Sequence, residues 1–120
     1  MIASLRAVSL LLVTGRIFVC SVIMAISTPT FAAEIRTVKI DMFAFGPRTL
    51  TVPAGTKVTW TNLDEEPHTV FSPNKSFRSD ALDTGESFSF VFARPGTYKY
   101  FCSIHPHMKG TVVVTPGSGG

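Results

Sequence analysis

Tyr98-Lys-Tyr-Phe-Cys-Ser-Ile-His-Pro-His-Met-Lys-Gly110 is the stretch from which the rest of the chain can be read. Its first half alternates, with Tyr98, Tyr100 and Cys102 on one side and Lys99 and Phe101 on the other, the period-two pattern of a half-buried strand. Its second half carries Cys102, His105 and Met108 at intervals of three residues. Gly110 then releases the chain into Thr111-Val-Val-Val-Thr115, a second strand rich in β-branched residues. The loop between these strands holds a thiol, an imidazole and a thioether. Thiolate and imidazole are donors that copper accepts in both oxidation states, and a thioether can supply the weak, long axial contact of an electron-transfer site. One equatorial donor is still missing. The chain has 3 histidines, so the missing donor is His68 or His107. His68 is favoured, because adjacent side chains on a tight loop rarely converge on one ion, whereas a ligand from a distant loop ties two parts of a fold together.

The preceding sequence also reads as strands and turns, with no segment of helical period. Val38, Ile40 and Met42 fall on one face of Ile35-Arg-Thr-Val-Lys-Ile-Asp-Met-Phe43, which predicts a half-buried strand. Thr49-Leu-Thr-Val52 and Thr56-Lys-Val-Thr-Trp-Thr-Asn62 flank Pro53-Ala-Gly55, a turn signal that reads as a hairpin with Val58 and Trp60 inward. Phe88, Phe90 and Phe92 alternate along the next strand, and Ala93-Arg-Pro-Gly96 turns the chain into Thr97. From Ser72 to Glu86 the composition is that of a loop, with at most one short edge strand or helical turn. Seven or eight short strands in so small a domain predict an all-β fold, a small Greek-key antiparallel β-sandwich. Trp60 reads as core packing rather than as a redox relay.

Residues 1–32 have the layout of an export signal: Arg6 and Arg16, an apolar run Ile17–Ile26, then small residues ending at Ala32, with Ala33 as the alternative last residue. The run is short for a membrane span, which takes roughly 20 apolar residues. Cleavage leaves a domain at 33–115 and a flexible tail at 116–120. Without Arg6 and Arg16, 9 of the 11 Lys and Arg remain against 8 acidic residues, a net charge of +1. That is no footprint for nucleic acid. Cys20 departs with the signal, and Cys102 is left alone. A single thiol in an oxidising compartment is exposed to oxidation unless it is buried or bound to a metal.

The motifs Thr-Trp-Thr-Asn62, Pro-His-Thr-Val70, Pro-Gly-Thr-Tyr98, the ligand loop and Gly-Thr-Val-Val-Val114 together resemble the cupredoxins, the type 1 blue copper proteins. The short Cys-x-x-His-x-x-Met loop is most similar to that of the amicyanin-like members. The resemblance implies one copper ion per chain, with His68, Cys102 and His105 as equatorial ligands, Met108 as the axial one, and both imidazoles bound through Nδ1. Members of the family usually carry Asn after the first histidine. Here Thr69 stands there, and its hydroxyl can reach the backbone or hydroxyl of Ser103. At His107 amicyanins have an aromatic residue, and the imidazole here reads as solvated and held outward by Pro106.

The function so implied is that of a small soluble periplasmic shuttle, not an enzyme, passing one electron between transient redox partners through Cu(I) and Cu(II). Such a protein is expected to be a monomer with no stable membrane association. The electron would leave at the His105 edge through an apolar patch lined by Pro67, Pro106, Met42 and Phe45, with Phe101 marking a second route. The acidic run Asp64-Glu-Glu66 reads as a solvated loop or a mildly polarised docking face. The alternative is a periplasmic copper carrier without a redox role. Against it stands the scarcity of further methionine, since Met42 is the only one outside the loop after residue 32.

Overall fold

The computed structural model describes Gly15, residues 17–29 and residues 32–117. The chain divides into two units, Met1–Thr30 and Phe31–Gly120. In the first, the described residues have no regular secondary structure. Most of the expected export signal's N-terminal part, including Arg6 and Arg16, lies outside the described residues, as do Thr30, Phe31 and the tail at 118–120. Among the described residues no helix is long and apolar enough to cross a membrane.

The second unit is an all-β sandwich. Its strands are β1 (Ile35–Asp41), β2 (Ala44–Gly46), β3 (Thr49–Pro53), β4 (Thr56–Asn62), β5 (Ser87–Phe92), β6 (Gly96–Phe101) and β7 (Lys109–Thr115). One sheet has the order β2-β1-β4-β5 and the other β3-β7-β6. Strand pairing is mixed rather than wholly antiparallel: β1 runs parallel to β4, and β3 parallel to β7. The expected hairpin at Pro53-Ala-Gly55 accounts for the difference. It is a corner between the sheets, because Ala54 N–H donates to the Thr115 carbonyl at 2.8 Å while Gly55 N–H donates to the Phe92 carbonyl at 2.7 Å. A turn whose successive amides bond to opposite sheets cannot pair the strands it joins. Gly55 takes φ +93° there, a conformation glycine adopts without steric cost.

Alternation sorts the residues as expected along most strands. Val38, Ile40, Val58, Trp60 and Phe92 from one sheet meet Leu50, Val52, Tyr100, Val112 and Val114 from the other. Trp60 packs within the core, stacked on Phe77 at 5.7 Å and edge-on to Tyr100 at 5.4 Å. Away from the core, cross-strand hydroxyl pairs Thr59–Ser89 and Thr61–Ser87 lie 2.7 and 2.8 Å apart. The stretch from Ser72 to Glu86 forms neither helix nor strand. It is fastened by isolated bridges, His68 to Leu82 and Phe71 to Arg78, and it inserts Phe77 and Leu82 into the core.

Met42 and Phe45 depart from expectation. Strand β1 ends at Asp41, and Met42 and Phe43 both adopt positive φ, 50° and 55°. That reversal breaks the alternation, leaving Met42 84% exposed, while Phe45 turns into the core against Tyr100.

Gly110 pairs with Tyr100 in the β6–β7 ladder, and the Tyr100 ring lies across its Cα. A methyl group at Gly110 would occupy the space of the Tyr100 ring tip. Gly110→Ala should therefore destabilise the protein by about 1–3 kcal/mol, the usual range for overpacking, measured as a lower urea midpoint. A smaller side chain at Tyr100 should recover part of that loss in the double variant.

Candidate metal centre

Two loops at one end of the sandwich build the site, one following β4 and one joining β6 to β7. The first is organised by Asn62, which is fully buried. Its Nδ2 donates to the Glu66 and Leu82 carbonyls, both at 2.8 Å, and its Oδ1 accepts the Asp64 N–H at 2.9 Å. His68 then pairs through its backbone with Leu82, donating at 3.1 Å and accepting at 2.8 Å. A histidine on an irregular loop is thus held almost as firmly as one on a strand. In the second loop, Cys102 N–H donates to the Met108 carbonyl at 3.0 Å and Met108 N–H to the His105 carbonyl at 2.9 Å. The spacing of three residues closes on itself through these bonds.

The loops are joined at Thr69. Its N–H donates to Cys102 Sγ at 3.3 Å, and its Oγ1 accepts the Ser103 N–H at 2.7 Å and lies 2.8 Å from Ser103 Oγ. The short side chain therefore makes the link to Ser103 that its chemistry allowed.

The loops bring His68, Cys102 and His105 together, with one ligand atom from each within 4.8 Å of the others. Cys102 Sγ lies 3.8 Å from Nδ1 of His68 and 3.8 Å from Nδ1 of His105, and the two Nδ1 atoms are 3.2 Å apart. A point equidistant from all three atoms falls about 2.1 Å from each, within the roughly 2.0–2.3 Å span of imidazole and thiolate bonds to a first-row metal such as zinc. No carboxylate belongs to the cluster, so the set suits a soft or borderline ion and not calcium or magnesium. Met108, bonded through its backbone to Cys102 and His105, is buried at 2% exposure, and a thioether on the same loop favours copper. His107 does not join the cluster. It is exposed, with its ring 6.3 Å from that of His105.

Cys102 is prepared for thiolate chemistry. Burial raises its pKa, but the Thr69 N–H, the His68 ring, and the His105 backbone and ring outweigh that effect and bring it from 9.0 to about 6. Donors aimed at the sulfur favour the charged form.

Two residues of the site were not legible in the sequence. Phe43 stands edge-on to both imidazoles, 5.2 Å from His68 and 5.1 Å from His105, in the place expected of Met42 and Phe45. Strand alternation pointed away from it. Asp64 accepts from His68 Nε2 at 2.8 Å, although the run Asp64-Glu-Glu66 read as solvated or as a docking face. Its carboxyl is held below the usual carboxylate range: partial burial raises it, but the N–H of Phe43, the His68 ring and the N–H of Met42 outweigh that effect. Position four residues before the histidine was the one available hint, and composition alone does not separate Asp64 from Glu65 or Glu66.

A cupredoxin-like domain profile matches residues 16–114. The chain belongs to the cupredoxin-like family. It is similar to amicyanin-alpha of Methylorubrum extorquens, 39% identical over 82 residues that cover 64% of this chain and 69% of that one. Among solved structures it is similar to a purple cupredoxin from Nitrosopumilus maritimus, with a TM-score of 0.63, 37% identity, and coverage of 67% of this chain and 99% of the other. A copper-containing nitrite reductase from Thermus scotoductus also matches, with a TM-score of 0.63 and 32% identity, covering 67% of this chain but 22% of the enzyme.

The thiol of Cys102 has a lower pKa folded than unfolded, so it adds stability that is complete above about pH 9 and is lost as pH falls through about 6. In copper-free protein the urea midpoint should drop across that window. The drop should be smaller in Cys102→Ser, and equal drops in the two proteins would show that the thiol is not held as a thiolate.

Proposed function

We propose that the protein is a one-electron carrier in which His68 Nδ1, Cys102 Sγ and His105 Nδ1 would hold copper, with the thioether of Met108 as a further donor. The observation that carries this reading is the compact triangle of two Nδ1 atoms and one sulfur, with sides of 3.2, 3.8 and 3.8 Å. Bound copper would supply a one-electron couple, and two imidazole nitrogens, a thiolate and a thioether are donors that suit both of its oxidation states.

The chain's own residues do the rest. Thr69 fixes the sulfur from the His68 side, and the Asn62 and Leu82 bonds fix the His68 backbone. Rigid donors keep the site from rearranging when its charge changes. Phe43 screens the two imidazoles from water, while the His105 edge stays partly exposed. Exposed Pro106 adjoins His105 in the chain, and Pro67 adjoins His68, so an apolar outlet for the electron would run past them. Phe101 offers a second outlet, covalently joined to Cys102 and edge-on to Phe71 at 5.3 Å.

The partners in this reading are redox proteins that dock transiently. The layout of residues 1–32 supports export to the periplasm before copper is loaded, and the lone Cys102 fits a compartment where its thiol is protected by metal. A carrier rather than an enzyme is supported by the histidine inventory. With 3 histidines in the chain, the cluster found among the described residues uses two, and the nitrite reductase that the chain resembles is several times longer than the matched part.

The decisive experiment is the visible and electron paramagnetic resonance spectrum of the protein after Cu(II) loading and removal of excess. An intense thiolate-to-copper band with narrow hyperfine splitting is expected. Cys102→Ser should abolish the band, while Met108→Leu should keep a coloured site at a higher reduction potential. A pale tetragonal spectrum in the unaltered protein would overturn the carrier reading and favour copper handling, as would rapid loss of copper to a chelator.

A further inference from the structure

Asp64 makes more bonds than a loop carboxylate needs. Its Oδ1 accepts the Met42 N–H at 2.7 Å, and its Oδ2 accepts both the Phe43 N–H at 2.9 Å and His68 Nε2–H at 2.8 Å. Its own N–H is held by Asn62 Oδ1 at 2.9 Å, and its carbonyl accepts the Thr84 hydroxyl at 2.7 Å. The carboxylate is therefore anchored from behind and spent forward on three donors. Two of these donors belong to Met42 and Phe43, the positive-φ residues that turn β1 into β2. The third belongs to a fully buried imidazole.

From this geometry we propose that Asp64 is the positioning residue of the copper site, fixing His68 in the tautomer that leaves Nδ1 bare and placing Phe43 over both imidazoles. The inference rests on the copper reading for its effect on the metal, but not for its effect on the histidine. An ionised carboxylate can only accept, so a neutral His68 facing it must carry its proton on Nε2 and present Nδ1 to Cys102 and His105. The same carboxylate stabilises two left-handed residues that have no glycine to ease them, and so aims the Phe43 ring at the site. Negative charge behind a ligand also strengthens its donation to the metal. Cu(II) gains more from that than Cu(I), because it carries the larger charge.

Glu65 and Glu66 cannot substitute. Both are exposed, and among the described residues neither carboxylate accepts a hydrogen bond from a group of the site. Asparagine at position 64 fails for a different reason. It has one acceptor oxygen where two oxygens now face three donors, so one rotamer sets its NH2 against the Met42 N–H and the other against Phe43 and His68.

The test combines nitrogen-15 NMR of the copper-free protein with potentiometry of the copper-loaded one. In copper-free unaltered protein His68 should show a protonated Nε2 and a bare Nδ1. In Asp64→Asn that preference should weaken, Cu(II) affinity should fall by about 10- to 100-fold, the usual effect of losing such a partner, and the reduction potential should rise. Asp64→Glu, which keeps the charge, should give a potential closer to the unaltered protein than Asp64→Asn does. A protonated Nδ1 on His68 in the unaltered protein overturns the proposal, and this measurement stands even if Asp64→Asn does not fold. So does an Asp64→Asn protein with unchanged potential and unchanged copper affinity. If the unaltered protein shows no thiolate-to-copper band, the copper reading fails on its own, and the NMR result still decides the role of Asp64.

Discussion

The bond from Thr69 N–H to Cys102 Sγ, with the Thr69–Ser103 link beside it and the Phe71–Phe101 backbone pair close by, ties the loop that follows one sheet to the sulfur carried by the other. His68 follows β4 of one sheet, and Cys102 follows β6 of the other. The core aligns the sheets to within the tolerance of packed side chains, whereas a metal site needs its donors held within a few tenths of an ångström. A backbone amide aimed at the sulfur supplies that finer adjustment. It also stabilises the thiolate, so one interaction both positions the ligand and favours its charge state.

The core reaches the site through the strands themselves. Tyr100 is buried two residues before Cys102, against Trp60, Phe45 and Phe77. Gly110, two residues after Met108, lies beneath the same ring. The β6–β7 loop is thus clamped on both sides by one aromatic residue. Its donors are held by a packed interior rather than by the loop's own preferences, which is how a short irregular segment becomes a rigid chelator.

Charge is distributed with the same economy. A sulfur whose thiol pKa is lowered sits beside two imidazoles, and the Asp64 carboxylate stands behind one of them. Asp64 can remain ionised there because three donors and partial exposure compensate its burial. The turn it holds brings Phe43, and Phe43 in turn covers the imidazoles, so electrostatics and water exclusion share one anchor.

The sequence by itself determined the strand content, the sandwich class, most of the core and the presence of a thiol, an imidazole and a thioether on one short loop. Those features are local: alternation reports which side of a strand is buried, and the spacing of Cys102, His105 and Met108 is short enough to belong to one loop. Thr69 was legible for the same reason, because it is adjacent to His68 and its hydroxyl has few places to go. Tertiary structure alone decided which strands pair in parallel, that Pro53-Ala-Gly55 is a corner, and that Phe43 rather than Met42 or Phe45 faces the imidazoles. It also separated Asp64 from its two acidic neighbours. Each of these depends on a hydrogen bond between residues far apart in the chain, such as Asp64 with Phe43 or Ala54 with Thr115. Residue patterns record the demand for a partner but not its address, which is fixed only when the two sheets close on each other.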